Sequence, residues 1–366
     1  FILVILLGIR VSAAEKAQSC QLSPVFSNLL ETLEINGNPL DNLSKDNVAD
    51  VWQNREVLAR KIIRSVPIEK LKDLIIPLRN HQIPIRIYYP LVENSFPSVK
   101  KPILVFYHGG GWSLGSIGSY DSVARFLSHH IGAIVVSVDY RLAPEYPFPS
   151  GLNDAYMALE WVVRNATAIG GHPENIGVAG DSGGGNLATV VARRARMAGI
   201  SLALQALFYP STDIAHTHFT SYAQFGEGYF LTRKAIEIFR SFYLPHEKDW
   251  MSPDASPLQA PQSELAQLPQ SIVMVAGCDP LKEEGILYAK KLQQSGVSVE
   301  LIAEPAMIHG FLNFYNSKPF ENISTFVEPS FKKLAAKIRS DFLTHLSRHS
   351  SKFKLSKQNH TDQIGN

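Results

Sequence analysis

Cysteine is nearly absent from this sequence: its 366 residues include two, Cys20 and Cys278. Two cysteines are too few for a disulfide-stapled scaffold or a cysteine-rich zinc site. In an oxidising compartment they could pair, and two separate thiols are the alternative that the sequence leaves open. An excess of either charge is also missing. With 35 basic and 33 acidic residues the net charge is +2, so no strong field draws in nucleic acid or an anionic surface, and a small, largely uncharged substrate is expected. Long apolar runs are lacking too. The stretch FILVILLG at residues 1–8 falls short of the ~20 residues that a spanning helix needs. Followed by Arg10 and Val11-Ser12-Ala13, it reads as the apolar core of a secretory signal covering 1–13, with the mature chain beginning within 14–20. Secretion or periplasmic export is the expectation, and an uncleaved N-terminal membrane anchor is the alternative.

What is present is a core-forming composition, 45% hydrophobic and 19% charged, suited to one large domain or one with an inserted cap. Short apolar, often β-branched runs at 83–90, 102–107, 134–138, 175–179, 203–209, 272–276 and 297–303 read as strands, mostly buried. Helical patterns lie between several of them, at 152–165, 185–197 and 283–295, each ending near Gly or Asn. Strand and helix alternate, so the class is α/β with a mostly parallel sheet. Residues 14–75 and 213–265 break the rhythm and are expected to form a helical cap, the second as an insertion into a catalytic domain at 76–348. The stretch 326–348 reads as a closing helix, and 349–366 lacks apolar periodicity and is expected to be a flexible tail.

The stretch GDSGGGN at 180–186 fits two kinds of serine enzyme. Gly-Asp-Ser-Gly-Gly surrounds the nucleophile of trypsin-like proteases, yet it also obeys G-x-S-x-G, the nucleophile elbow of α/β-hydrolases. A protease would need its His and Asp before the serine and a pair of β-barrels, whereas Ser182 lies between a strand and a helix. The elbow order is Ser, acid, His, and it is met by Asp279 after the strand IVMVAGC and by His309 after VSVELIAEPAM. Ser182, Asp279 and His309 are therefore the candidate catalytic triad. HGGGW at 108–112 follows a strand and offers N–H groups for an oxyanion: Gly110, Gly111 and Gly183 are the candidate donors. A phosphate loop is the rival reading of the glycines, and the G-K-[ST] ending that it requires is absent.

With these residues in place, the chain resembles the hormone-sensitive lipase-like family of α/β-hydrolases, which includes arylacetamide deacetylases and bacterial carboxylesterases. The resemblance spans roughly 75–320 and rests on HGGGW, VDYRLAPEYPFP, GDSGGGNLA, ASPL, DPLKEEG and HGF in that order. It implies an eight-stranded, mostly parallel sheet flanked by helices under a helical cap. It also implies no cofactor and hydrolysis of short- to medium-chain carboxylic esters through an acyl-serine intermediate. An amidase, a deacetylase or a lipase acting on a lipid or membrane-surface substrate would share every one of these residues, and a non-catalytic receptor on the same fold would lack the His. Two positions depart from the family pattern: Gly183 where Ala is usual, and Glu283 where a second Asp is usual.

Other groups have plainer readings. Asp181 is expected to support the elbow, and Glu145 and Asp154 to serve packing and turns. His129, His130, His216 and His218 lack the convergent partners of a metal site, so no metal is expected. The aromatics of 219–243 are either cap core or pocket wall. Four N-x-S/T sequons occur, at Asn42, Asn165, Asn322 and Asn359.

Overall fold

A computed structural model describes residues 20–53, 66–91, 100–315 and 321–362, with side chains described up to residue 347. The signal segment at 1–13, the expected processing region up to residue 19 and the side chain of Asn359 lie outside the described residues.

Eight strands form one sheet in the order β1-β2-β4-β3-β5-β6-β7-β8. They are β1 (Lys70–Pro77), β2 (Gln82–Tyr89), β3 (Lys101–Tyr107), β4 (Ile134–Val138), β5 (Gly171–Asp181), β6 (Leu204–Phe208), β7 (Gln270–Cys278) and β8 (Val299–Ile308). β1 and β2 run antiparallel to each other, β2 runs antiparallel to β4, and every pairing from β4 through β3 to β8 is parallel. The parallel strands need covering on both faces, which explains why they are apolar at successive positions. Along β3, Ile103, Val105 and Tyr107 enter one cluster while Leu104 and Phe106 enter the other.

The first face is covered by α3 (Ser150–Asn165), α4 (Gly183–Met197) and α8 (Lys282–Gln294). The second is covered by α2 (Asp121–Ile131) and α9 (Glu321–Asp362) through Val123, Phe126 and Leu127 on one side and Phe331, Leu334 and Ile338 on the other. The phenyl rings of Phe126 and Phe331 stack with centroids 3.8 Å apart. Above the carboxyl ends of the strands lie α1 (Ser27–Asn36) and, between β6 and β7, α5 (Thr220–Phe225) and α6 (Arg233–Tyr243), whereas α7 (Gln262–Leu265) leads into the amino end of β7 and packs on α4 and α8. The two cap segments meet: the Asn38 side-chain amide donates to the Phe230 carbonyl at 2.8 Å, and Thr232 hydrogen-bonds Asp41.

Several elements differ from the sequence expectation. β1 falls within the stretch assigned to the cap, because as an edge strand it is mostly exposed and lacks a strong alternation. β8 continues to Ile308, past Pro305, so it delivers His309 directly. α2 has a short amphipathic pattern closed by Gly132 in the left-handed region (φ 75°). The expected tail is helical as far as Asp362, because backbone helix continues beyond the last packed turns at Phe342 and Leu346.

The two cysteines are joined, with Cα atoms 4.9 Å apart and a separation of 258 positions in sequence. The N-terminal segment lies against β8, Gln21 N–H donating to Pro305 O at 2.9 Å and Ser23 N–H to Ala306 O at 3.2 Å, and Phe26 is fully buried beyond it. Cys278 closes β7, so this bond fastens the start of the described chain beside the residue that follows, Asp279.

Candidate active site

The serine is presented by a reversal that only small residues permit. β5 ends at Asp181, Ser182 takes φ 54° and ψ −121°, and α4 begins at Gly183. A Cβ at Gly180 would stand 2.2 Å from Gly184 O, and one at Gly184 would stand 2.1 Å from Tyr107 O. The helix is therefore pressed against its own strand and against β3, and a left-handed serine is the cost of turning its hydroxyl outward. Ser182 N–H donates to Phe208 O at 2.9 Å, which fixes the turn to β6.

β7 and β8 bring the other two groups to this point. His309 Nε2 lies 2.9 Å from Ser182 Oγ, and its Nδ1 lies 2.8 Å from Asp279 Oδ2. The second oxygen of Asp279 accepts the Leu281 N–H at 2.8 Å, so the fully buried carboxylate is held at both ends. This arrangement leaves Nδ1–H donating to the carboxylate and Nε2 free to accept the serine proton. All three residues proposed from sequence thus converge, in the expected order, at the carboxyl edge of the sheet.

The HGGGW loop lies beside them. Gly110, Gly111 and Trp112 have φ values of 110°, 61° and 57°, and the turn is closed by Leu114 N–H donating to Gly110 O at 2.9 Å. Gly110, Gly111 and Gly183 all line the cleft with Ser182 and His309. Among the described residues no protein acceptor takes the N–H of Gly110 or Gly111. Gly109 N–H instead donates to Asp181 Oδ1 at 2.8 Å, tying the loop to the residue before the serine.

Asp181 is a support, as expected, with partners that its motif does not disclose. Tyr120 donates its hydroxyl to Asp181 Oδ2 at 3.1 Å and the Asn313 amide approaches the same oxygen at 3.5 Å. Burial outweighs these donors and pushes the carboxyl up to about 6. A second buried acid, Glu284, went unnoticed in the sequence. Its Oε1 accepts Thr212 N–H at 2.6 Å and Asp213 N–H at 3.2 Å, and its Oε2 accepts the Tyr222 hydroxyl at 2.9 Å. It thereby joins the loop after β6 to α5 of the cap, and Tyr222 lines the cleft. Glu283 also braces this region, its Oε2 accepting the Ser221 N–H at 3.3 Å. No local signal distinguishes Glu284 from the charged residues around it, since its donors lie 62 to 72 residues away.

The cleft holds about 740 Å³ of empty space, open mouth included. Its far walls are apolar: Leu40 from the N-terminal segment and Ile214, Phe230, Leu231, Ile236 and Phe239 from the insertion. The aromatics of 219–243 prove to be both things proposed for them, Phe225 and Phe242 being buried core while Phe230 and Phe239 face the cleft. Elsewhere, Asp154 is buried in a structural pair with Arg141 at 2.8 Å, with His81 at 2.7 Å on its other side, while Glu145 is exposed. His216 sits on Asp213 at 3.0 Å, and His129 hydrogen-bonds Pro67 O at 2.9 Å. Burial and the neighbouring His129 push the His130 ring down to about 4.

Comparison with known proteins agrees with this geometry. A family model of the alpha/beta hydrolase fold matches residues 104–313. The chain is 39% identical over 307 residues to carboxylesterase NlhH of Mycobacterium tuberculosis, covering 80% of this chain and 89% of that protein. It is 34% identical over 294 residues to an arylesterase of Saccharolobus solfataricus, covering 80% and 92%. Among solved structures, a thermostable esterase from Pseudomonas putida superposes with a TM-score of 0.80 at 31% identity, over 88% of this chain and 98% of that one.

Proposed function

We propose a mechanism for a chain that belongs to the hormone-sensitive lipase-like family of α/β-hydrolases and is a carboxylic ester hydrolase. Ser182 Oγ attacks the ester carbonyl carbon as His309 Nε2 takes its proton. The carbonyl oxygen becomes an oxyanion and accepts the N–H groups of Gly110, Gly111 and Gly183. Amides fixed in advance by the backbone cost no reorganisation when the charge develops, and each donor of this kind is worth ~3–4 kcal/mol in the transition state. Asp279 holds the imidazole in the tautomer that accepts at Nε2 and stabilises its charged form. His309 then protonates the departing alcohol, leaving an acyl group on Ser182. Water attacks the acyl carbon with His309 again taking the proton, and the carboxylic acid leaves as the proton returns to Ser182.

The observation that carries this assignment is the unbroken relay from Ser182 Oγ through His309 to Asp279, at 2.9 and 2.8 Å, at the floor of an apolar cleft. The apolar cap residues that wall the cleft shared with Ser182 support short- to medium-chain acyl groups as the substrates. Export to an oxidising compartment is supported by the Cys20–Cys278 bond. Mass spectrometry of the exported protein should find the chain starting within 14–20, and residues 1–12 intact on a membrane-bound form would mean an uncleaved anchor instead.

The test of substrate class is a rate profile over p-nitrophenyl esters from acetate to palmitate, with an aryl acetamide and a peptide included. Acetate and butyrate should be turned over faster than palmitate, and Ser182→Ala should abolish both hydrolysis and labelling by a fluorophosphonate probe. A preference for palmitate would overturn the chain-length reading in favour of a lipase, and labelling that persists in Ser182→Ala would overturn the assignment of the nucleophile.

A further inference from the structure

Three consecutive left-handed residues, ending in a tryptophan, do not hold their conformation unaided. Within the loop, Ser113 and Leu114 donate to Gly110 O, and Trp112 O accepts the Ala143 N–H at 2.8 Å. The middle of the loop is held from outside by cap helix α6. The Phe239 ring lies against Gly111 so closely that a Cβ there would stand 2.3 Å from Phe239 Cγ. One turn further along the same helix, Tyr243 stacks on Trp112 with centroids 4.5 Å apart and planes within 4° of parallel. Trp112 in turn covers Gly183, where a Cβ would stand 3.2 Å from Trp112 Cε2. One aromatic column from the cap thus reaches Gly111 and, through Trp112, Gly183. Tyr243 is buried and its hydroxyl has no hydrogen-bond partner among the described residues, so what it contributes there is its ring.

We infer that Phe239 and Tyr243 are positioning residues for the reaction: the helix that walls the cleft also sets the amides that meet the oxyanion. The inference rests on the assignment of Gly110, Gly111 and Gly183 as the donors. Phe239 additionally forms part of the cleft wall, so its removal mixes two effects. Tyr243 is not among the cleft-lining residues, which makes it the cleaner probe.

The test is steady-state kinetics of Tyr243→Phe, Tyr243→Leu, Tyr243→Ala and Gly111→Ala on p-nitrophenyl acetate, butyrate and octanoate. It is joined by inhibition with a trifluoromethyl ketone, whose serine hemiketal places an oxyanion in the hole. Tyr243→Phe should stay within about twofold of the wild type, since the ring is kept. Tyr243→Ala should lower kcat by about tenfold to a hundredfold, a fraction of what a lost donor costs, equally for all three esters and with little change in KM. The inhibition constant of the ketone should rise by the same factor. Where Tyr243→Ala does not fold, Tyr243→Leu keeps most of the volume, loses the flat stack and carries the same expectation. A folded Tyr243→Leu with wild-type kcat, or a loss that varies with acyl length and falls on KM, would overturn the positioning role. Gly111→Ala with full kcat would overturn the donor assignment beneath it, whereas a damaged Gly111→Ala beside a normal Tyr243→Leu would leave that assignment standing.

Discussion

Glu284 is the place where burial and hydrogen bonding oppose each other most directly. Two backbone N–H groups and the Tyr222 hydroxyl all donate to its carboxyl, which favours the ionised form. Complete burial, helped slightly by the neighbouring Asp213, wins and pushes it up to about 8. In the unfolded chain the same group titrates near ~4.3. Folding therefore takes up a proton between about pH 4.5 and 8, and over that window the contribution of Glu284 to stability falls as pH rises, by up to ~1.4 kcal/mol per pH unit and roughly 3–5 kcal/mol in all. Below the window both states hold the proton, and above it neither does. Glu284→Gln keeps the shape and an acceptor for Thr212 and Asp213 while removing the titration. Urea unfolding of both proteins across pH 5 to 9 isolates the effect, because the other ionisable groups are common to the two. Relative to the wild type, the variant should gain stability steadily up to about pH 8 and no further. A stability difference that does not change with pH would refute the reasoning, since the carboxyl would then titrate alike in both states.

Asp279→Asn should lower kcat by ~10⁴-fold with the fold intact, because the amide favours the tautomer that cannot take the serine proton; pre-steady-state acylation measures this directly. Gly110→Val should lose about 10²- to 10³-fold in kcat with little change in KM, since even its Cβ would stand 2.2 Å from Leu114 O at a φ of 110°. Gly183→Ala, which restores the family's usual residue, should be much milder: the nearest atoms to its Cβ are the Trp112 ring and backbone nitrogen at 3.2–3.3 Å, and a rate within an order of magnitude of the wild type is expected. Reduction, or Cys20→Ser, should lower the urea midpoint by an amount equivalent to roughly 2–5 kcal/mol, the usual cost of losing a native disulfide and less than the ~5.6 kcal/mol that chain entropy alone gives for a loop this long. An unchanged midpoint would mean that the bond stabilises little.

The grouping of Ser182, Asp279 and His309 was legible in the sequence because each of the three is announced by local chemistry. Gly180, Gly183 and Gly184 mark a turn that other residues cannot make, and Asp279 and His309 each follow an apolar strand-forming run. The alternation of buried runs with amphipathic helices likewise led to a parallel sheet, since strands covered on both faces must be apolar throughout. β1 escaped notice for the converse reason: Lys70, Lys72 and Asp73 on an exposed edge strand leave too little pattern to read.

Tertiary structure alone decided matters in which the partners are remote in sequence and carry no common signal. Cys20 pairs with Cys278 because the N-terminal segment lies along β8, next to the end of β7. Glu284, one acid among several in DPLKEEG, becomes a buried acceptor because the loop after β6 and helix α5 bring their donors to it. Phe239 and Tyr243 follow an ordinary amphipathic period, and only the packing of the cap onto HGGGW turns one face of that helix toward the amides beside Ser182. Backbone conformation and burial periodicity are short-range properties that a sequence can display, whereas the choice of which buried surfaces meet depends on how all the elements close around one core.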